Sequence, residues 1–329
     1  MATIRDVSKL ANVSVATVSR VINQSGYVNE VTEKAVRQAM ETLSYVPSDM
    51  ARSLAGKKSA TIALIVPDIL NPFFPELARA VEDAAHQLGY TVILCNSDHD
   101  PEKERNYFGM LKNKRIDGII VASYTIHPQQ LLELQRQSIA AVVIDNHFPS
   151  HPILALQSKN REGAVMAVRH LLDRGCTTIA HISGPLEILP SRERLLGYEL
   201  VMREHGMFAP SLIAEGDFHV EGGYRAMQEL LKLHPDIDGV FAGNDLMAIG
   251  ALKALYIAGK AVPQDVKLIG FDGIALATVV PELSTIAQPI AEMGKLATHY
   301  LMRQIRNEPV ECKTHELDVR LLVRQSTTD

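Results

Sequence analysis

Apolar positions in the first 45 residues recur at helical intervals. Val7, Leu10 and Ala11 fall on one face of a first helix that starts after Thr3, and Thr3 with Asp6 makes a capping box. Asn12, Val13 and Ser14 form a short turn, with Ser14 capping a second helix from Val15 to Ile22 whose Val18 and Val21 point inward. A third helix follows Asn29, with Val36, Met40 and Leu43 inward. Two short helices joined by a tight turn within about twenty residues have the dimensions of a helix-turn-helix. Pro47 ends the third helix. Ser48 caps a short fourth piece, SDMARSLAG, that runs to Gly56, and Lys57, Lys58 and Ser59 read as a solvated linker.

From Thr61 the pattern changes. Apolar runs TIALIVPD, TVILCNSD, GIIVAS, AAVVIDN, TIAHISG, GVFAGND and VKLIGFD each end in Asp, Asn, Ser or Gly. Amphipathic stretches of helical length lie between most of them, among them Glu76 to Leu88, Gly163 to Leu172 and Met247 to Ala258. Fully apolar strands alternating with helices imply parallel sheets covered on both faces. The pattern restarts after about residue 160, which predicts two doubly wound lobes with a ligand cleft facing the carboxyl ends of the strands. The expected organisation is an all-α headpiece over 1–46, a hinge helix and linker over 47–59, and an α/β body over 60–329. Within the body, one lobe takes about 60–160 and 290–320, and the other about 161–289 and 321–329.

Charge sharpens this division. The 329 residues carry a formal net charge of −5. The first 60 hold 8 Lys and Arg against 5 Asp and Glu, while the other 269 hold 25 against 33. A small basic head on a large acidic body points to DNA or a membrane surface contacted through the head alone. The three cysteines, at 95, 176 and 312, match neither a disulfide framework nor a zinc spacing and read as reduced core thiols. No metal or cofactor is expected. MATIRDVSKLANV has no leader-like apolar segment and no stretch approaches about 18 apolar residues, so a cytoplasmic protein is expected, with no membrane partner.

On the second helix Val15, Ala16 and Arg20 share an exposed face. A recognition helix presents its first turns to base edges, and the Arg fork matches guanine O6 and N7, so Arg20 is the expected base reader. Thr17, Ser19, Asn23 and Tyr27 offer hydroxyl and amide groups suited to phosphates, and Thr3 and Ser14 join this contact set. A surface helix pair with no DNA role has the same periodicity. In the body there is no P-loop, dinucleotide-binding glycine fingerprint, G-x-S-x-G elbow or H-E-x-x-H. Polar residues instead stand at strand ends: Asn71 and Asp145 in the first lobe, Asn244 and Asp272 in the second, with Arg192 at a helix start. Phe73, Phe74 and Phe218 supply flat apolar faces. Carboxylates and amides take paired sugar hydroxyls, an Arg fork donates to oxygens, and rings cover C–H faces. Asp and Asn after strands are also ordinary turn residues, so other small ligands, or none, remain open. Ser97, Asp98, His99 and Asp100 read as a polar loop.

TIRDVSKLANVSVATVSRVIN followed by YVPSDMARSL resembles the headpiece and hinge of the Lac repressor family of bacterial transcription regulators over about the first 55 residues. That resemblance implies a homodimer on a pseudo-palindromic operator, with a hinge helix ordered on DNA. In it Leu54, beside Ala51, wedges into a central minor-groove step and kinks the duplex. The body resembles the type I periplasmic-binding-protein fold that the family shares, and its motifs are similar to those of ribose-binding proteins and ribose repressors. By that likeness Asn71, Phe73 and Phe74 in NPFF, Asp145 in VVIDN, Arg192 in RER, Phe218 in GDF, Asn244 in FAGND, Asp272 in GFDG and Gln288 in TIAQP fall on sugar-contacting positions. Asn146 stands where the binding protein has an arginine.

The expectation is thus a repressor controlled by a small sugar, ribose or a related pentose, and not an enzyme. One alternative keeps the DNA reader but controls it through a phosphorylated carrier protein at basic residues such as Arg303 and Arg306. Another is a repressor that answers a different sugar or a sugar phosphate. A sugar-modifying enzyme or transport receptor would need catalytic motifs or a leader instead.

Overall fold

The computed structural model describes residues 2–23, 26–45, 58–274, 279–310 and 314–328. Contacts divide the chain into two compact units, Met1–Ser59 and Ala60–Asp329. The first holds three helices, α1 (Ile4–Leu10), α2 (Val15–Asn23) and α3 (Glu30–Thr42). Each begins where a short polar side chain satisfies early N–H groups that have no partner within the helix. The Asp6 carboxylate accepts from the Thr3 N–H at 2.8 Å and from its hydroxyl at 2.7 Å, Ser14 Oγ accepts from the Thr17 N–H at 3.1 Å, and Asn29 Oδ1 accepts from the Thr32 N–H at 2.8 Å. Val7, Val18, Val21, Val36 and Ala39 form the buried core, with Met40 and Leu43 packed against it. Leu10 departs from the sequence reading: it is 52% exposed, because α1 ends there and the buried face closes with Val7 and Ser8.

The second unit contains two six-stranded sheets. In the first, β1 (Thr61–Val66), β2 (Thr91–Asn96), β3 (Gly118–Val121), β4 (Ala140–Ile144), β5 (Leu154–Ser158) and β11 (Thr314–Leu317) lie in the order β11-β5-β4-β3-β1-β2, all parallel. In the second, β6 (Ile179–Ser183), β7 (Ile213–Glu215), β8 (Gly239–Ala242), β9 (Lys267–Asp272), β10 (Ser284–Ala287) and β12 (Arg320–Leu322) run β12-β10-β9-β8-β6-β7, with β12 alone antiparallel. Strand side chains alternate faces, and β1 shows the consequence. Ile62, Leu64 and Val66 enter one core cluster while Ala63 and Ile65 enter another, all fully buried.

Helices cover both faces. α4 (Phe73–Gln87), α5 (Pro101–Asn113), α6 (Pro128–Arg136) and α11 (Ile290–Ile305) bury residues in the clusters of the first sheet. α7 (Asn160–Asp173), α8 (Leu189–Glu204), α9 (Val220–Leu233) and α10 (Asp245–Ile257) do the same for the second. The chain passes between lobes three times, from β5 into α7, from β10 into α11 and from β11 into β12. The sequence reading picked out seven strands. It passed over β5, whose LALQS has three apolar residues, and the short β7, β10, β11 and β12. Cys95 and Cys176 are buried thiols; Cys312 lies outside the described residues. Among the described residues no helix is long and apolar enough to cross a membrane.

α9 and α10 touch backbone to backbone. A Cβ on Gly250 would sit 1.9 Å from the Val220 carbonyl oxygen and 2.5 Å from the Tyr224 nitrogen, whereas one on Gly109 of α5 would meet nothing within 4 Å. Gly250→Ala therefore forces two helices apart and should destabilise the body by about 1–3 kcal/mol. Gly109→Ala should raise stability by up to about 1 kcal/mol through helix propensity. Urea unfolding of both variants checks this, and equal midpoints would contradict it.

Candidate functional site

The carboxyl ends of both sheets face one cleft, of about 450 Å³ counted out to its mouth. The first lobe contributes Asp68 and Asn71 after β1, Phe73 and Phe74 at the start of α4, His99 after β2, Tyr124 after β3 and Asp145 after β4. Pro190 and Arg194 on α8, Phe218 and His219 after β7, Asn244 after β8, Asp272 closing β9 and Gln288 after β10 come from the second. Sidedness follows from topology: in an open parallel sheet every strand delivers its following loop to the same edge, and ligands sit there where the strand order reverses. Eight residues expected from sequence line this cleft: Asn71, Phe73, Phe74, Asp145, Phe218, Asn244, Asp272 and Gln288.

Arg192 does not. Its side chain is exposed and donates to the carbonyl oxygens of Leu186 at 3.2 Å and Glu187 at 2.9 Å. Arg194 is the cleft arginine. On α8 the buried positions include Ser191, Arg194, Tyr198 and Val201, a spacing of three and four that turns residue 194 inward and 192 outward. The helical period of SRERLLGYELV carries that signal. Asn146, half-buried, also stays off the cleft and turns its Oδ1 to the His147 N–H at 2.9 Å.

Arg194 is held on all sides. Its Nε donates to Asn160 Oδ1 at 2.9 Å, Nη1 donates to the Gly243 carbonyl at 2.5 Å and lies 3.6 Å from Asp272 Oδ1, and the guanidinium carbon is 3.7 Å from the Phe271 ring centre. Asp272 Oδ1 also accepts from Gln288 Nε2 at 2.7 Å. Burial pushes the Asp272 carboxyl up to about 6 despite the Arg194 charge, which draws it down. Asp145 is likewise raised to about 6 by burial, against the same guanidinium. Beneath them Asp245, which the sequence reading missed beside the more conspicuous Asn244, is raised to about 8 by burial and by the charge on Asp272. It accepts from Thr285 Oγ1 at 2.7 Å and from the N–H groups of Gly273 at 3.0 Å and Ile274 at 2.9 Å, so it pins the loop that follows Asp272.

Asp145, Phe218 and Asp272 have φ of 55°, 65° and 113°. Non-glycine residues seldom adopt such angles, and those that do gather at sites where the surroundings hold them. Gly184 is part of that hold, since a Cβ there would meet the Phe218 ring at 2.3 Å. Asn244 has structural work as well, capping α10 through the Met247 N–H at 2.9 Å and donating to the Phe218 carbonyl at 3.0 Å. Phe73 and Phe74 pack edge to face at 5.1 Å. His99 stacks on Tyr124 at 6.3 Å, so the loop set aside as merely polar also contributes a ring to the wall. Asp145 Oδ1 and Gln288 Oε1 are buried acceptors with no hydrogen-bond partner. Among the described residues no cluster of three His, Cys, Asp or Glu is arranged to hold a metal ion.

In the headpiece α2 turns Val15, Ala16 and Arg20 outward; Thr3, Ser14 and Tyr27 are exposed, and Thr17 and Ser19 half-buried. Asn23 ends α2. Ala51 and Leu54 lie outside the described residues.

These geometries set a sign for stability against pH. A carboxyl whose pKa is higher folded than unfolded binds its proton more tightly in the folded state, so its contribution is gained as pH falls through the raised value and lost as pH rises. The Asp245, Asp145 and Asp272 contributions should therefore raise the thermal midpoint as pH is lowered from about 8.5 to about 5.5. Asp272→Asn should flatten the lower half of that climb, and an equally steep climb in the variant would contradict the assignment. Arg194→Met strands Asp272 without its cation and should cost about 3–5 kcal/mol near pH 8, less near pH 5.5. Arg192→Ala should stay within about 0.5 kcal/mol, and denaturant melts of the two variants separate them.

Residues 3–48 match the model of the bacterial regulatory proteins of the lacI family, and residues 168–327 match a periplasmic binding protein-like domain. The chain is 45% identical over 329 residues to the ribose operon repressor of Halalkalibacterium halodurans, covering 99% of this chain and 97% of that one. Its fold superposes with a TM-score of 0.89, at 26% identity and covering 100% and 99% of the two chains, on the Lac repressor dimer bound to operator and the anti-inducer ONPF. A LacI family regulator from Enterococcus faecium with bound ribose superposes on 81% of this chain and 98% of its own, with a TM-score of 0.73 and 32% identity. With a headpiece, a two-lobed body and this identity along nearly its whole length, the chain belongs to the lacI family of bacterial regulatory proteins.

Proposed function

We propose that the chain is a transcriptional repressor that binds a twofold-symmetric operator as a homodimer and releases it when ribose or a related pentose enters the cleft. The observation that carries the reading is the pair of buried, unpartnered acceptors, Asp145 Oδ1 and Gln288 Oε1, on opposite lobes beside the Arg194 and Asp272 pair. Buried acceptors without donors are costly, and a polyhydroxyl ligand supplies donors to them while its ring oxygen and lone pairs face the guanidinium. Three carboxylates, from Asp68, Asp145 and Asp272, line the same cleft. That charge disfavours an anion, which argues for a neutral sugar over a sugar phosphate. The ribose operon repressor relatives and the ribose-bound neighbour agree with this choice.

On the DNA side Arg20 projects from α2 beside Val15 and Ala16 to read base edges, with Thr3, Ser14, Thr17, Ser19, Asn23 and Tyr27 toward the backbone and Ala51 and Leu54 in the minor groove. Self-association is supported by one surface hollow shared by Tyr256 and Val280, 82% and 85% exposed, with Ile249, Leu252 and Val262, since apolar side chains gathered at a surface mark contact sites. Arg303 is engaged by the Pro309 carbonyl and lies 3.6 Å from Glu308, so nothing favours it as a dock for a phosphorylated carrier protein. The reading assigns the chain no catalysis, and a regulator of this kind works in the cytoplasm.

Sugar and operator must be coupled reciprocally. Calorimetric titration of D-ribose into the protein, free and saturated with operator duplex, should show weaker sugar binding on DNA by the same factor by which sugar weakens operator binding. Equal sugar affinity in both states would remove the induction mechanism, and no binding at all would remove ribose. Arg20→Ala should cost about 1–3 kcal/mol on operator and little on random duplex. Equal losses on both would make Arg20 a phosphate contact.

A further inference from the structure

α5 buries an acid where its pattern calls for an apolar residue. Asp100 Oδ1 accepts from the Glu102 N–H at 2.7 Å and caps the helix, and one turn further Glu104 shares the buried face with Phe108 and Leu111. Glu104 is 1% exposed, and a carboxyl group so far from water is tolerated only where hydrogen bonds replace its hydration. Two hydroxyls do so on a single oxygen: Glu104 Oε2 accepts from Ser123 Oγ and, at 2.9 Å, from Thr125 Oγ1. Ser123 Oγ also accepts from the Thr125 N–H at 3.2 Å. The two donors flank Tyr124 in the loop after β3, so this clamp grips the chain immediately before and after that residue.

With both neighbours tied to α5, Tyr124 lines the cleft. Its ring stacks on His99 with centres 6.3 Å apart and planes 14° from parallel. Its phenol is near enough to Asp145, Arg194 and Asp272 to feel the charge of each, yet among the described residues no hydrogen bond reaches the phenol oxygen. That oxygen can both donate and accept, and it stands among the groups proposed to take the sugar. A contact residue on a loop is only as precise as the groups that hold the loop. Here the holding group is a single buried carboxyl oxygen.

We propose that Tyr124 is a ligand-contacting residue whose phenol hydrogen-bonds one sugar hydroxyl, and that Glu104 is its positioning residue, acting through Ser123 and Thr125. The contact rests on the reading of the cleft as a sugar site; the positioning does not. Glu104 itself stands behind the loop and is not among the residues that line the cleft. An apolar residue at position 104 would fill the core, but it would leave two hydroxyls without their acceptor, one of them on Ser123, which is also 1% exposed. Specificity follows from the contact, because a sugar that lacks the hydroxyl facing Tyr124 leaves the phenol unpaired and binds less tightly.

The positioning arm of the test needs no sugar. In the full chain labelled with carbon-13 at tyrosine Cζ, Tyr124→Phe identifies the Tyr124 signal among the nine tyrosines. Thr125→Val deletes one clamp hydroxyl at an exposed position; it should shift that signal and leave the others in place, and Ser123→Ala should do the same. A Tyr124 signal unmoved in both variants would overturn the positioning role. The contact arm titrates D-ribose and its monodeoxy analogues by calorimetry. Tyr124→Phe should weaken D-ribose by about 3- to 10-fold and leave unchanged the affinity of the analogue that lacks the facing hydroxyl. Equal D-ribose affinity in the native chain and Tyr124→Phe, or a loss shared by every analogue, would overturn the contact. Thr125→Val should weaken D-ribose in the native chain but add nothing in Tyr124→Phe, since residues that act through one another are not additive; equal losses in both backgrounds would reduce the clamp to a structural part. If the native chain bound no ribose, the sugar reading and the contact would fall together, while the tyrosine signals would still decide the positioning role.

Discussion

The body is organised around a shortage of positive charge in a buried place. Asp145, Asp245 and Asp272 are all nearly or fully inaccessible, and Arg194 is the guanidinium set among them. An ion moved out of water loses several kcal/mol of hydration, and one cation cannot restore that for three anions. The consequence is written in the pKa values, two carboxyls near 6 and one near 8. Much of the surrounding structure serves to make this tolerable: Asn160 and the Gly243 carbonyl orient the guanidinium, Phe271 lies under it, and Thr285 with two loop N–H groups supports Asp245.

The same shortage underlies the ligand proposed for the cleft. Acceptors that no side chain satisfies can be satisfied by hydroxyl hydrogens, which arrive without charge and without disturbing the Arg194 pair. Asp145 comes from one lobe and Arg194, Asp272 and Gln288 from the other, so a ligand that donates to all of them must draw on both. Backbone at positive φ for Asp145, Phe218 and Asp272 fits this use, because each residue is held where a strand ends abruptly and its side chain must turn back across the strand ends.

What was legible in the sequence was whatever depends on local pattern. TIALIV and AAVVI announce strands buried on both faces, and Ser14 and Asn29 announce helix starts. LALQS in β5 was illegible because its strand character comes from being paired between β4 and β11, the latter about 160 residues further along. The cleft residues at strand ends were found by topology and family likeness. Reading Arg192 for Arg194 was an error of phase, since resemblance singled out the RER motif while only the helical period says which arginine turns inward. Tyr124 and His219 were not singled out because no local pattern marks them, whereas Asp68 ends the strand motif TIALIVPD and His99 stood in a loop read only as polar.

The three crossings between lobes bear on how the chain is made. The first sheet takes β1 to β5 from residues 61–158 but needs α11 and β11, residues 290–317, to finish its order and cover one face. A chain that emerges from its amino end can assemble the headpiece core early, since all its buried residues lie before position 40. The first lobe must wait, with the surface that later meets Ile290, Met293, Ala297 and Leu301 open to water until the second lobe has been synthesised. The second sheet waits as long, because its edge strand β12 comes from residues 320–322, so the cleft between the lobes cannot be complete before both late strands have been made.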